Sequence, residues 1–254
     1  MNTKHVVCIH QAAFVPWLGL IESMFATEHF VILDDVQYEN GGYQNRNKII
    51  SKNGSDWITI PVSVKFKTQL NQVKIAPNYD PSSILKAIQS AYGRTIYFNE
   101  VMHDFTNILN NYLAGDLLCE LNISLLKWIA NKLNCKCKFV CSSELETNSR
   151  SKLVRIAEIC SKLKATHLYT GTGMLDYCSP EEILNLGIIP IFHNYQQRHV
   201  KYKQRFHKNE FVPCLSILDL LFNMGYIYAS EELKSSAQKV LEDAFKSQTT
   251  YFSS

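Results

Sequence analysis

The stretch from residue 5 to residue 48 constrains this chain more than any other. Val6 to Ile9 is a short apolar run that ends in His10 and Gln11. A loop containing Pro16 and Trp17 follows. Leu18, Leu20, Ile21, Met24 and Phe25 then recur at helical spacing, and Phe30 to Leu33 is a second apolar run closed by Asp34 and Asp35. Two short apolar runs joined by a helix predict a parallel strand–helix–strand unit. In open α/β sheets, ligands sit at the carboxyl ends of the strands. Both strands end in polar side chains, so His10, Gln11, Asp34, Asp35 and Gln37 should converge on one rim, with the loop Gln44, Asn45, Arg46, Asn47 and Lys48 nearby.

The rest of the chain repeats this order. Residues 57–64 are β-rich, with Pro61 marking an edge or bend, and 73–75 suit a short strand. Helical spacing over 84–92 and 98–133 predicts a helical insert at about 81–134. Residues 135–141 alternate as a strand, 149–164 as a helix, and 166–169 as a strand ending in Thr170, Gly171, Thr172 and Gly173. A short helix over 181–186 leads to a strand over 188–192 that ends at His193. The expected fold is α/β: a mainly parallel sheet with flanking helices, a helical insert and a C-terminal helix, in one domain spanning 1–254. Near the end, Ser216 and Asp219 suit a capping box and Gly225 a helix stop. Residues 230–246 suit one amphipathic helix, which would cover the core or form a homodimer contact.

Composition narrows the class. The chain has 254 residues, 46% of them hydrophobic, so a large core is available. A net charge of +3 does not mark a nucleic-acid binder. Eight scattered cysteines, with no secretory signal read before them, predict reduced thiols in a cytoplasm. No run is long enough for a membrane span.

Each candidate residue has a plainer reading. His10 suits phosphate contact or acid–base work, because an imidazole titrates near neutrality; otherwise it bonds a loop carbonyl. Asp34 and Asp35 point to opposite sides of a strand, so one of them could hold Mg²⁺, bind ribose or act as a base, and otherwise they cap a turn. Arg46 offers a planar fork for carboxylate or phosphate, and Gly41 and Gly42 let its loop fold over a site. Gly171 and Gly173 let backbone amides approach an anion, although neither a P-loop lysine nor a full dinucleotide glycine pattern is present. Lys201, Lys203 and Arg205 alternate with Val200, Tyr202 and Phe206, between His199 and His207. That pattern makes a half-buried strand or extended loop with a basic face, suited to diphosphate or RNA, or to edge protection. Cys135, Cys137 and Cys141 share a strand face, which is poor geometry for zinc.

Taken in order, HQAAFVPWLG, VILDDVQY, QNRNKI, the segment around Trp57, LNISLLKWI, SSEL, ATHLYTGTG and FVPCLSILDLLFNMG resemble the WbqC-like proteins of bacterial surface-polysaccharide gene clusters. The resemblance spans roughly 5–226. The chain departs from the family pattern at Ala12, usually proline, at Thr170 to Gly173, usually Ser-Gly-Pro-Gly, and at Asn40 to Gly42, usually more basic. What the resemblance implies is a role in O-antigen or related glycan assembly, by transfer of glycine or a similar amino acid to the amino group of a nucleotide-linked sugar. His10 or Asp35 would take the amine proton. Substrate contacts would come from Gln11, Trp17, Asp34, Gln37, Asn45, Arg46, Asn47, Lys48, Thr170, Gly171, Gly173, Tyr177, His193, Lys201, Lys203 and Arg205. The donor would be an amino acid activated by ATP with Mg²⁺, an aminoacyl-tRNA or a carrier thioester. The first unit also looks like a HUP-type nucleotide-binding domain without its second histidine, which keeps a nucleotidylyltransferase as an alternative. A non-catalytic module scaffolding glycan enzymes is the other.

Overall fold

The computed structural model describes residues 4–147, 149, 151–206 and 210–251. The chain begins with β1 (Val6–Gln11), α1 (Leu18–Phe25) and β2 (His29–Leu33). Two antiparallel ribbons follow: β3 (Arg46–Ser51) with β4 (Gly54–Thr59), and β5 (Val62–Ser63) with β6 (Lys74–Ile75). Next come α2 (Pro81–Tyr92), α3 (Phe98–Asn110) and α4 (Leu118–Lys132), then β7 (Lys138–Cys141), α5 (Lys152–Lys162), β8 (His167–Gly171), α6 (Pro180–Leu184), β9 (Ile189–His193) and α7 (Ile217–Tyr251).

The central sheet has the order β7-β2-β1-β8-β9, and all of its pairings are parallel. The expected α/β architecture is therefore present. Chain order runs outward from β1 to one edge and then restarts at β8 towards the other. The switch point lies between β1 and β8, where open α/β sheets form their ligand crevice. The two sheet faces have different covers. Val7, Leu168, Cys160 and Ile183 form the core under α5 and α6. Cys8, Phe30 and Ile32 join Leu18 and Ile21 of α1 and the insert helices in the larger core. Alternation along β1 sends Val7, Ile9 and Gln11 to the first face, and Cys8 and His10 to the second.

Several elements differ from the sequence reading. The β-rich run over 57–64 is two strands, because the chain bends at Ile60 and Pro61 to pair first with β3 and then with β6. Only 138–141 of the 135–141 alternation is strand. The 200–206 segment joins no ladder, bends at 205–206 and ends with Phe206 at φ 69°. Its inward side chains instead reach a buried carboxylate: Tyr202 Oη and Gln204 Nε2 donate to Asp219 Oδ2 at 2.7 and 2.8 Å, and Tyr92 Oη donates to Oδ1 at 3.0 Å. Asp219 is thus the hub joining α2, this strap and α7. The backbone N–H of Ser216 donates to the Lys48 carbonyl at 2.8 Å, which takes the donor that a capping box would use.

Gly225 does break the last helix. Its φ of 79° lies where glycine alone is comfortable, and a Cβ there would stand 2.6 Å from the Tyr97 ring.

Candidate functional site

The loop after β1 is buried and strained. Val15 has φ 34°, an outlier for a β-branched residue, and such strain costs about 1–3 kcal/mol. Neighbouring elements hold it in place. Asn47 Nδ2 donates to the carbonyls of Phe14 and Val15 at 3.1 and 3.0 Å, and Ser216 Oγ donates to Val15 at 2.7 Å. The N–H of Ile217 donates to Pro16 at 2.8 Å. Asn47 therefore works as a bracket for this loop. Asn45 does the same for the strand turn, donating to the Ile60 carbonyl at 2.9 Å. The loop delivers Trp17, whose ring meets Tyr195 edge-on with centroids 5.5 Å apart.

His10 sits at the end of β1. Its Nδ1 lies 2.9 Å from the Gln11 carbonyl, and a carbonyl oxygen only accepts, so Nδ1 carries the hydrogen. His10 is an exposed residue; desolvation by the atoms gathered round its ring lowers its pKa, with the Gln11 carbonyl acting in the opposite sense. The neutral tautomer therefore leaves the Nε2 lone pair as a proton acceptor. His193, at the end of β9, is close enough to feel the charge of His10. Burial brings the pKa of His193 down to about 4, against a raising influence from Glu22. Its ring stacks on Tyr169 at 4.7 Å.

The two aspartates after β2 are occupied. Asp34 accepts from Ser142 Oγ, Ser143 N–H and Ser143 Oγ at 3.1, 3.0 and 2.6 Å, and so fixes the turn after β7. Asp35 accepts from Arg155 Nη2 at 2.5 and 2.6 Å and from Ser142 Oγ. Desolvation would raise its pKa, but the bonds from Arg155 and Ser142 outweigh that and hold it below the usual carboxylate range. An ion-paired carboxylate of this kind is a weak proton acceptor, whereas His10 Nε2 is free of that constraint. Among the described residues, no group of three His, Cys, Asp or Glu side chains could hold a metal ion.

Two cavities flank the switch point. One, of 310 Å³, is lined by Trp17, Gly171, Thr172, Gly173, Asp176 and His193, with Tyr195 and its neighbours closing it. The other, of 800 Å³, is lined by Gln11, Gln37, Glu39, Lys152, Arg155 and Tyr177, among others. Lys152 Nζ lies 5.5 Å from the centroid of the Tyr177 ring. Gln11 is steadied by Gln44, whose Nε2 donates to its Oε1 at 2.5 Å. The segment 171–177 is a wall shared by both spaces. Thr170, one residue earlier, is inside the ladder opposite Phe192.

The cations expected to bind diphosphate line neither space. Arg46 stacks on Trp57 at 4.3 Å, and Lys48 Nζ lies 5.2 Å from the same ring. Arg205 Nη1 donates to the carbonyls of Ser90 and Ala91 at 2.8 and 2.6 Å, capping the end of α2. It shares a 520 Å³ hollow with Trp57 and Lys52. Lys201 and Lys203 are exposed, and His207 lies outside the described residues.

Sequence reasoning passed over four groups: Lys152, Arg155, Tyr195 and the buried Glu22. Glu22 accepts from Tyr169 Oη at 2.9 Å and from Arg198 Nη1 and Nη2 at 3.2 and 3.1 Å. One signal was available, a lone charged residue inside the largely apolar helix at 18–25. Its partner lies 176 residues away, and no local pattern marks that pairing.

Three comparisons bear on these features. A family model described as the WbqC-like protein family matches residues 11–230. An uncharacterized protein of Mycobacterium tuberculosis is 29% identical over 227 residues, covering 86% of this chain and 94% of that protein. No solved structure matches the chain. No helix among the described residues is long and apolar enough to cross a membrane.

Proposed function

The chain belongs to the WbqC-like protein family, and from that premise we propose that it is a transferase of surface-glycan assembly, moving an acyl group onto the amino group of a nucleotide-linked sugar. The family name is compatible with a polysaccharide-related role. Glycine or a similar amino acid is the acyl group in this reading, supplied in activated form.

The observation that carries the proposal is the tautomer of His10. With Nδ1–H held by the Gln11 carbonyl, Nε2 is a neutral base at the switch point. Two cavities meet the neighbouring strand ends, one lined by Gln11 and the other by Gly171 and His193, as a reaction joining two substrates needs. The amine nitrogen bonds to the acyl carbon while the bond from that carbon to its activating group breaks. His10 Nε2 takes the amine proton. The larger cavity, with Lys152 and Arg155, suits the nucleotide portion, and the smaller one, with Trp17 and the 171–173 amides, suits the reacting ends. Asp35, paired with Arg155, positions that cation rather than moving protons.

The test is single-turnover acyl transfer to nucleotide-linked 4-amino sugars, read by mass spectrometry with and without Mg²⁺. Loss of general-base catalysis in His10→Gln should slow transfer about 10²–10⁴-fold with little change in acceptor binding. A His10→Gln protein that folds and keeps full turnover overturns the assignment.

A further inference from the structure

A further cavity, of 780 Å³, lies between the open edge of β9, α6 and the later arm of α7. Its walls are mainly apolar, with Leu184, Ile189, Ile191, Phe192, Val240 and Ala244, and Asp243 and Ser247 of α7 also line it. Its floor is the strand edge. The N–H of Ile189 donates inward to Thr166 at 3.0 Å, so the alternate residues Pro190 and Phe192 turn their backbone outward. Proline has no N–H to offer, and an added peptide strand would lose a ladder bond at that point. The floor therefore favours an aliphatic chain over an extended peptide.

One end of the groove is polar: His193 and Asn194 line it, and both residues also line the smaller cavity at the switch point. Arg198 also stands there, but its guanidinium is committed to Glu22 at 3.1 Å, so this end presents amide and imidazole groups rather than a free cation. His193 Nδ1 is buried with no hydrogen-bond partner among the described residues. An uncharged carbonyl-bearing head with an apolar body matches this lining better than a fatty carboxylate does.

We propose that the groove between β9 and α7 binds the straight aliphatic chain of an acyl thioester, with its carbonyl end at His193 and Asn194. This rests on the acyl-transfer reading and widens the transferred group from glycyl to an aliphatic acyl chain. The sugar amine would bond to the acyl carbon as the thioester C–S bond breaks. His10 would take the amine proton and pass it to the departing thiolate.

Calorimetric titration with straight-chain primary amides, from hexanamide to dodecanamide, tests the groove without any turnover. Affinity should rise about fourfold per methylene, the equivalent of ~0.8 kcal/mol. Leu184→Trp and Ala244→Trp fill the groove from opposite walls, and each should weaken binding by at least about tenfold, or ~1.4 kcal/mol. Leu184 is half exposed, so its variant should keep the wild-type melting temperature even if the Ala244 variant does not. Binding that ignores chain length, or that survives in Leu184→Trp, overturns the proposal. So does concentration-dependent dimerisation that Leu184→Trp abolishes, since a second copy would then be the occupant. Aminoacyl transfer without chain binding would sink this inference and leave the transferase reading standing. Groove-dependent chain binding with no transfer to any amino sugar would keep the groove as an aliphatic-chain site and overturn the transferase reading together with the transfer step drawn from it.

Discussion

The indole of Trp17 lies directly over the backbone of Gly19. A Cβ at position 19 would stand 2.5 Å from Cη2 and 2.7 Å from Cζ2 of that ring. The glycine opens the start of α1 and lets the tryptophan fold back to form one wall of the crevice. A methyl group there has to push the ring aside. Gly19→Ala should therefore cost about 1–3 kcal/mol by overpacking and weaken ligands of the smaller cavity. Urea denaturation and titration with a nucleotide-linked amino sugar read the two effects; wild-type values in both would mean that the ring yields freely.

Acid stability should depend on His193. Its folded pKa is about 4, below the ordinary histidine value of 6.5. Between those values the unfolded chain binds a proton that the folded chain does not, so stability falls as pH drops from about 6.5 to about 4. The contribution is on the order of 3 kcal/mol. His193→Gln should flatten the stability curve over that window and leave it unchanged above pH 7, where both states are neutral. Equal slopes for the two proteins, measured by denaturation across the window, would contradict the assignment.

The Glu22–Arg198 pair is the main buried ion pair of the α1 layer. Glu22 is fully buried, and its partner is a third exposed. Arg198→Met leaves the carboxylate without its cation and should cost about 3–5 kcal/mol. Adding Glu22→Leu should recover much of that loss. A double-mutant cycle with near-zero coupling would show that Tyr169 Oη and Ser236 Oγ, which both donate to Glu22, suffice to hold the carboxylate.

Asp219 predicts the behaviour of a segment far from it in sequence. Tyr202 and Gln204 anchor the basic strap to this carboxylate. Asp219→Ala removes the acceptor for both and for Tyr92, at a cost of about 3 kcal/mol or more. Limited trypsin digestion should then cleave after Lys201 or Lys203 before global unfolding. Unchanged protection of these sites would mean that the strap is held by its apolar contacts alone.

The parallel sheet was legible in the sequence because its signal is local. Apolar runs of strand length alternate with helical spacing, and each strand is closed by polar residues. That pattern dictates which residues end each strand, and of the residues at or just after those ends Gln11, Gly171, Gly173 and His193 line the two cavities. It also supplied the break at Gly225, where a helical pattern restarts on a new phase.

The roles of the polar residues were not legible. Asn45, Asn47 and Asp34 read as ligand groups, but each spends its hydrogen bonds on loops brought near by tertiary packing. Arg205 reads as part of a basic face and caps α2 instead. A side chain's type states what it can donate or accept. Which partner it meets depends on elements distant in the chain, as with Asp35 and Arg155, which are separated by 120 positions. The order of strands and the set of rim residues thus follow from local periodicity, which one stretch of chain carries by itself. The division of that rim into brackets, ion pairs and one uncommitted base was decided by long-range packing, because burial forces each polar group to find a partner and only the folded chain determines which one is in reach.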